Sequence, residues 1–217
     1  MPDLTLSFDN GPEPAATPLV LAALAARDIL AAFFVIGRKA ATPEGQSLMR
    51  RARDAGHWIG NHSWTHETPL GALRAPGAAT EEILRTQAAI APFAHPAKLF
   101  RPFGGGGHLD ARLLNAEAVE TLTQRGFTCV TWNAVPRDFA DPDGWCETAL
   151  DQLGQRDWTL MVLHDLPNGA VRHLPRFLDA ARDRGFRFRQ EFPPACMPIR
   201  AGVVQDLTGL VTLASAA

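Results

Sequence analysis

Two imidazoles four residues apart, in the run Asn61-His62-Ser63-Trp64-Thr65-His66, can meet on one side of a helical turn and present nitrogens to one divalent ion. The same spacing serves ordinary structural histidines, and Ser63 stands where the zinc-protease helix needs its glutamate, which excludes that chemistry. A second run, Ser7-Phe8-Asp9-Asn10-Gly11-Pro12, ends in a forced turn that exposes the two polar side chains before it. A turn alone needs only one of them. Arg101, Asn133 and His164 follow later in the chain, each within or at the end of a short apolar run. Singly, an Asp in such a place is a helix cap or turn former, and a His is a satisfied structural side chain. The recurrence singles the group out.

The elements that must position these residues can be read from periodicity. Runs rich in β-branched and aromatic residues predict strands over 4–9, 32–37, 57–62, 99–103, 128–133, 159–164 and 186–191. Between them, Ala-, Leu- and Arg-rich stretches with helical spacing predict helices over 17–27, 45–55, 79–90, 116–125, 144–155 and 171–184. Gly56, Gly126 and Gly185 sit where left-handed C-caps are wanted. Strands alternating with helices imply an α/β fold, a parallel sheet with right-handed crossovers, and the length suits a closed or nearly closed barrel. In such a sheet the functional face lies where strands end. Asp9 and Asn10 end the first strand, His62 the third, Asn133 the fifth and His164 the sixth, with Arg101 inside the fourth. A composition shift at Pro193-Pro194 marks residues 193–217 as a tail on a single domain of residues 1–192.

Together with His62-Ser-Trp-Thr-His66, the segment from Ser7 to Pro12 resembles the opening motif of the polysaccharide deacetylase family, the NodB-homology amidohydrolases also called carbohydrate esterase family 4. Phe100-Arg101-Pro102-Phe103-Gly104 resembles its Arg-Pro-Pro-Tyr-Gly motif. Trp132-Asn-Ala-Val-Pro-Arg-Asp138-Phe139 resembles Asp-x-x-Asp-Trp, and Leu160-Met-Val-Leu163-His164 resembles Leu-x-Leu-His. The resemblance implies a distorted (β/α)7 barrel. It also implies a hydrolase that removes N- or O-linked acetyl groups from a carbohydrate or small amide. Asp9 would be the general base, His164 the general acid, Arg101 the ion-pair partner of Asp9, and Asp138 the group that orients His164. His62, His66 and Asn10 would hold a divalent metal, the resemblance pointing to zinc. A backbone N–H near Phe103 would meet the oxyanion, with Phe103, Gly104 and Trp64 against the substrate. Trp132 and Trp145 are further aromatic candidates, buried packing being the plainer role for Trp132.

The chain departs from the pattern at three places. Asn10 replaces the family's metal-binding Asp with a neutral carbonyl oxygen. Val135 and Phe139 replace the first Asp and the Trp of the fourth motif, and Arg101-Pro102-Phe103 is one proline short of its pattern and runs into an open, glycine-only rim loop, residues 104–107. Two other readings therefore stand beside the first: a metal-independent, allantoinase-like hydrolase of cyclic imides or ureides, and an inactivated carbohydrate-binding relative. Retention of His62 and His66 counts against the former. Retention of Asp9, Arg101, Asp138 and His164 counts against the latter.

Composition narrows the field further. Lys+Arg 21 against Asp+Glu 23 leaves no basic excess for nucleic acid or anionic lipid. Tyr is absent, which removes a tyrosine nucleophile. The glycine loop lacks the Lys-Ser/Thr of a phosphate-binding loop, so nucleotide is not an expected ligand. Three dispersed cysteines without a CxxC pair suggest neither disulfides nor a thiolate zinc site. With no leader-like segment and no run of 18 apolar residues, the expectation is a cytoplasmic protein without a membrane partner.

Overall fold

A computed structural model describes residues 1–212. In chain order its regular elements are β1 (Asp3–Asp9), α1 (Thr17–Ala25), β2 (Ala32–Val35), α2 (Gly37–Ala40), α3 (Pro43–Asp54), β3 (Trp58–Asn61), α4 (Ala78–Ile90), β4 (Leu99–Phe100) and α5 (Ala116–Gln124). Then come β5 (Thr128–Cys129), α6 (Trp145–Gln152), β6 (Trp158–His164), α7 (Leu174–Asp183), β7 (Arg187–Arg189), β8 (Ile199–Arg200) and β9 (Val203–Val204). Strands β1 to β7 are all paired in parallel, in the order β6-β1-β2-β3-β4-β5, with β7 beside the start of β1. The sheet curls until Ala134, just past β5, bridges Met161 of β6. This is the α/β barrel-like single domain expected from the sequence.

Strand periodicity divides the core. Leu4, Leu6, Phe8, Phe33, Val35, Ile59, Met161 and Leu163 face outward and join one cluster with Val20, Leu24, Phe177 and Leu178 of the helices. The alternate residues face inward, where Ala32, Phe34, Leu99, Val130 and Leu160 form a second cluster with Phe192. The same alternation carries Ser7, Asp9 and His164 to the inner side. Gly56, Gly126 and Gly185 all take positive φ, as expected of C-caps. In each case the next residue's N–H reaches back to close the helix end, as from His57 to Ala52 at 3.0 Å.

Several boundaries differ from expectation. The second strand stops at Val35 because the Ile36 N–H turns to the Gly11 carbonyl (2.8 Å) and Gly37 opens α2. The fourth and fifth strands shrink to two residues each. Beyond Phe100 the chain meets Pro102, which has no ladder donor, and residues 130–134 bend across to β6. The helix expected from 171 begins as a 3₁₀ turn (Ala170–His173) before α7. The segment expected as a tail instead adds an antiparallel hairpin, β8 and β9, to the edge of β5 through Cys129 and Ile199. Val211 then bridges Leu114. Residues 213–217 of that segment lie outside the described residues.

Candidate active site

Asp9, Asn10, His62, His66, Phe103, Gly104 and His164 all line one cleft of about 210 Å³ at the C-terminal ends of the strands. Trp132, Val135, Phe139 and Val162 form its apolar wall. The β1–β6 ladder pairs Asp9 directly with His164, so one register sets the carboxylate and the imidazole side by side.

Behind Asp9 lies Arg101, fully buried inside the barrel with its guanidinium 4.0 Å from the centre of the Phe34 ring. It donates to Asp9 Oδ1 (2.9 Å), Ser7 Oγ (2.6 Å), and the carbonyls of Val130 (3.2 Å) and Thr131 (3.1 Å). Asp9 Oδ2 is left toward the histidines, 3.5 Å from His62 Nε2. Ser7 was no sequence candidate, although its place two residues before Asp9 puts it on the same face.

Behind His164 lies Asp138, which accepts from the His164 main-chain N–H (2.7 Å) and meets its ring at Nδ1 (2.7 Å). Burial opposes a positive charge on His164, but the hydrogen bond and charge of Asp138, aided by Asp9 and Asp165, outweigh it and raise the pKa above the ordinary value. The Nε2 atom remains for chemistry in the cleft. Phe139 stands edge-on to this imidazole at 5.0 Å.

The two histidines do not share a helical turn. They flank an irregular one in which Ser63 and His66 have positive φ, and their ring centroids are 4.6 Å apart. His62 Nδ1 meets the Arg101 carbonyl at 2.8 Å, so the neutral ring donates there and leaves Nε2 as an acceptor. Burial pushes the pKa of each histidine down to about 3, which keeps both rings neutral and able to bind a cation. Asn10, with φ 74, holds its Oδ1 buried without a hydrogen-bond partner. Such an atom is costly unless something else occupies it. Among the described residues no cluster of three His, Cys, Asp or Glu side chains is placed for a metal. Two neutral imidazoles with one orphaned amide oxygen nevertheless fit a divalent cation.

Trp64 does not line the cleft. Its ring lies beneath Arg85 of α4, 4.0 Å from the guanidinium, and above Gly37, where any Cβ would clash with it. The left-handed Ser63 turns it that way. Trp145 is a core residue, 1% exposed, between α6 and α7. Trp132 does reach the cleft, but mainly to shape it: its Nε1 donates to the Gly107 carbonyl (3.0 Å), and its ring leaves no room for a Cβ at Gly104. The glycine loop is thus seated on Trp132, and Phe103 packs against His66 with ring centroids 3.9 Å apart and planes tilted by 40°.

The chain is similar to known proteins over most of its length. A chitooligosaccharide deacetylase of Sinorhizobium fredii is 30% identical over 206 residues, covering 87% of this chain and 89% of its own. The structure of a family 4 carbohydrate esterase from Streptomyces lividans in complex with acetate superposes with a TM-score of 0.72 at 29% identity, covering 92% of this chain and 97% of that one. A family 4 acetyl xylan esterase from Clostridium thermocellum, in complex with a cobalt ion, matches with a TM-score of 0.71 at 25% identity, covering 86% and 87%. The polysaccharide deacetylase family profile matches residues 2–130, and the chain belongs to that family.

Proposed function

We propose that this protein hydrolyses acetyl groups from an acetylated amino sugar or short oligosaccharide with the help of a divalent cation, zinc being the first candidate. The observation that carries the reading is the pairing of Asp9 and His164 across one ladder, at a cleft that also holds two neutral imidazoles and the orphaned Asn10 oxygen. His62, His66 and Asn10 would hold the cation, which when bound polarises the acyl carbonyl and makes water easier to deprotonate.

Asp9 Oδ2 takes a proton from the attacking water while Arg101 fixes the other oxygen, so the carboxylate keeps one orientation. The water oxygen bonds to the acyl carbon. The backbone N–H near Phe103 meets the developing oxyanion. His164, whose protonated form Asp138 favours, gives its proton to the departing nitrogen as the C–N bond breaks, leaving acetate and a free amine. In an ester the same proton goes to the leaving oxygen. The wall of Trp132, Val135, Phe139 and Val162 shields the acyl group from water.

Acetate release from acetylated chito-oligosaccharides and xylan fragments, with zinc added, tests the reading. Asp9→Asn and His164→Ala should each lower turnover by about 10²–10⁴-fold with the fold intact. Near-parental activity in either variant removes its role. Asn10 favours a second reading, hydrolysis of a cyclic imide without metal. Turnover of such a substrate that survives chelation would decide for it.

A further inference from the structure

The turn between His62 and His66 adopts a conformation its own residues disfavour. Ser63 (φ 62) and His66 (φ 56) are both left-handed, which crowds any side chain with a Cβ. Yet most of its main-chain groups are engaged. The Ser63 N–H donates to Asn61 Oδ1 (3.0 Å), and the carbonyls of Ser63 and Trp64 accept from Gly37 (2.9 Å) and Arg38 (3.1 Å) of α2. Three further donors converge on one carboxylate. Glu82 Oε2 accepts from the N–H groups of Trp64 (2.8 Å) and Thr65 (2.9 Å), and Oε1 accepts from the Thr65 hydroxyl (2.9 Å). The neighbouring Ile83 carbonyl receives Asn61 Nδ2 at 2.8 Å, so α4 grips the turn at two points.

We propose that Glu82 is a positioning residue that pre-forms the His62/His66 pair for cation binding; the inference rests on the metal-assisted reading above. Glu82 does not line the cleft and touches neither imidazole. Its effect runs through the three bonds to the turn, of which the amide bonds are charge-assisted. With these in place, a cation meets two rings already held together and does not have to order a strained loop. Supporting groups of this kind are typically worth 10–100-fold in metal affinity. Glutamine in one orientation can keep these contacts, its oxygen accepting from the two amides and its nitrogen donating to the Thr65 hydroxyl, whereas leucine keeps the bulk and removes all three.

Zinc titration of the metal-free protein by calorimetry tests this, with the visible spectrum of the cobalt-loaded form as a second readout. Glu82→Leu should weaken zinc binding by at least about tenfold in folded protein and alter the cobalt spectrum. Arg85→Ala, which removes the guanidinium from Trp64 but no bond to the turn, should leave both unchanged. A residue that only stabilised the fold would lower the unfolding midpoint while leaving the affinity of the folded protein intact, and that result for Glu82→Leu overturns the proposal. If Glu82→Leu fails to fold, Thr65→Val, which deletes the hydroxyl contact to Glu82, decides: weakened binding supports the clamp and unchanged binding overturns it. Should the parent protein itself bind no zinc, the metal-assisted reading falls and the proposal with it. Parental binding with an unaffected variant defeats the positioning role alone.

Discussion

His164 stands between burial, which resists its charge, and Asp138, which attracts it; the carboxylate prevails and the pKa is raised. An acid so raised keeps its proton to higher pH, so activity should fall on the alkaline side as His164 loses it. Asp138→Asn removes the opposing charge and leaves burial unbalanced, and the alkaline limb of the kcat profile should move to lower pH. An unmoved limb would assign that ionisation to another group. Asn10→Asp bears on the other half of the site. A carboxylate in place of the orphaned carbonyl should bind zinc more tightly than the amide does, as titration of both metal-free proteins would show. Equal or weaker binding would place residue 10 outside the ligand set. Much of this constellation was legible because Asp9, His62 and His164 stand at the ends of short apolar runs that read as strands. Glu82 and Asp165 gave no such signal: each matters through what packs on it from a distant part of the chain. Trp64 misled for the same reason, since its position between two histidines says nothing of the left-handed residue that swings it onto α4.

At the scale of elements, the barrel interior is built around a cation. Arg101 joins β1, β4 and the chain leaving β5 by hydrogen bonds to Ser7, Asp9, Val130 and Thr131. Arg101→Leu keeps apolar volume against Phe34 but strands the Asp9 charge and frees two carbonyls. Losing one partner of a buried pair costs roughly 3–5 kcal/mol. Urea unfolding should show a loss of that order, partly recovered by adding Asp9→Asn, and a loss under about 1 kcal/mol would mean that water reaches the site. The long strand β1 was readable from its alternation, and β6 from an unbroken apolar run. The two-residue β4 and β5 were overextended, because the sequence stays apolar after the curl has ended regular pairing. Helix α2 is only four residues long and too short to show a period, while the β8–β9 hairpin follows a Pro-Pro pair that reads as a linker.

Across the whole molecule, the junction of β6 with the Asn10–Gly11 turn carries a pH-dependent strain. Asp165 is fully buried, accepts from the Thr17 hydroxyl, fills the space a Gly11 side chain would need, and has one oxygen without a partner. Burial pushes its pKa from 3.8 up to about 7, against the weaker pull of Thr17, Lys39 and His164. The folded protein therefore binds this proton more tightly than the unfolded chain. The stability it contributes is present at low pH and is lost as pH rises from about 4 to about 7. Asp165→Asn cannot ionise, so its unfolding free energy should fall less between pH 5 and pH 8 than that of the parent. Parallel pH dependence in the two proteins would show that Asp165 is hydrated.

The pairing of β1 along its full length with β6 also bears on how the chain is born. The strand carrying Asp9 is synthesised well before the one carrying His164, which follows about 155 residues later, the offset between Asp3 and Trp158 in the ladder. Until then β1 has β2 on one flank and bare N–H and C=O groups on the other, next to Leu4, Leu6 and Phe8. An apolar strand with an open edge is a template for wrong partners. The Asp9–His164 pair is thus assembled by the same late event that seals this edge: a nascent chain too short to protect β1 is also too short to set an imidazole opposite that carboxylate.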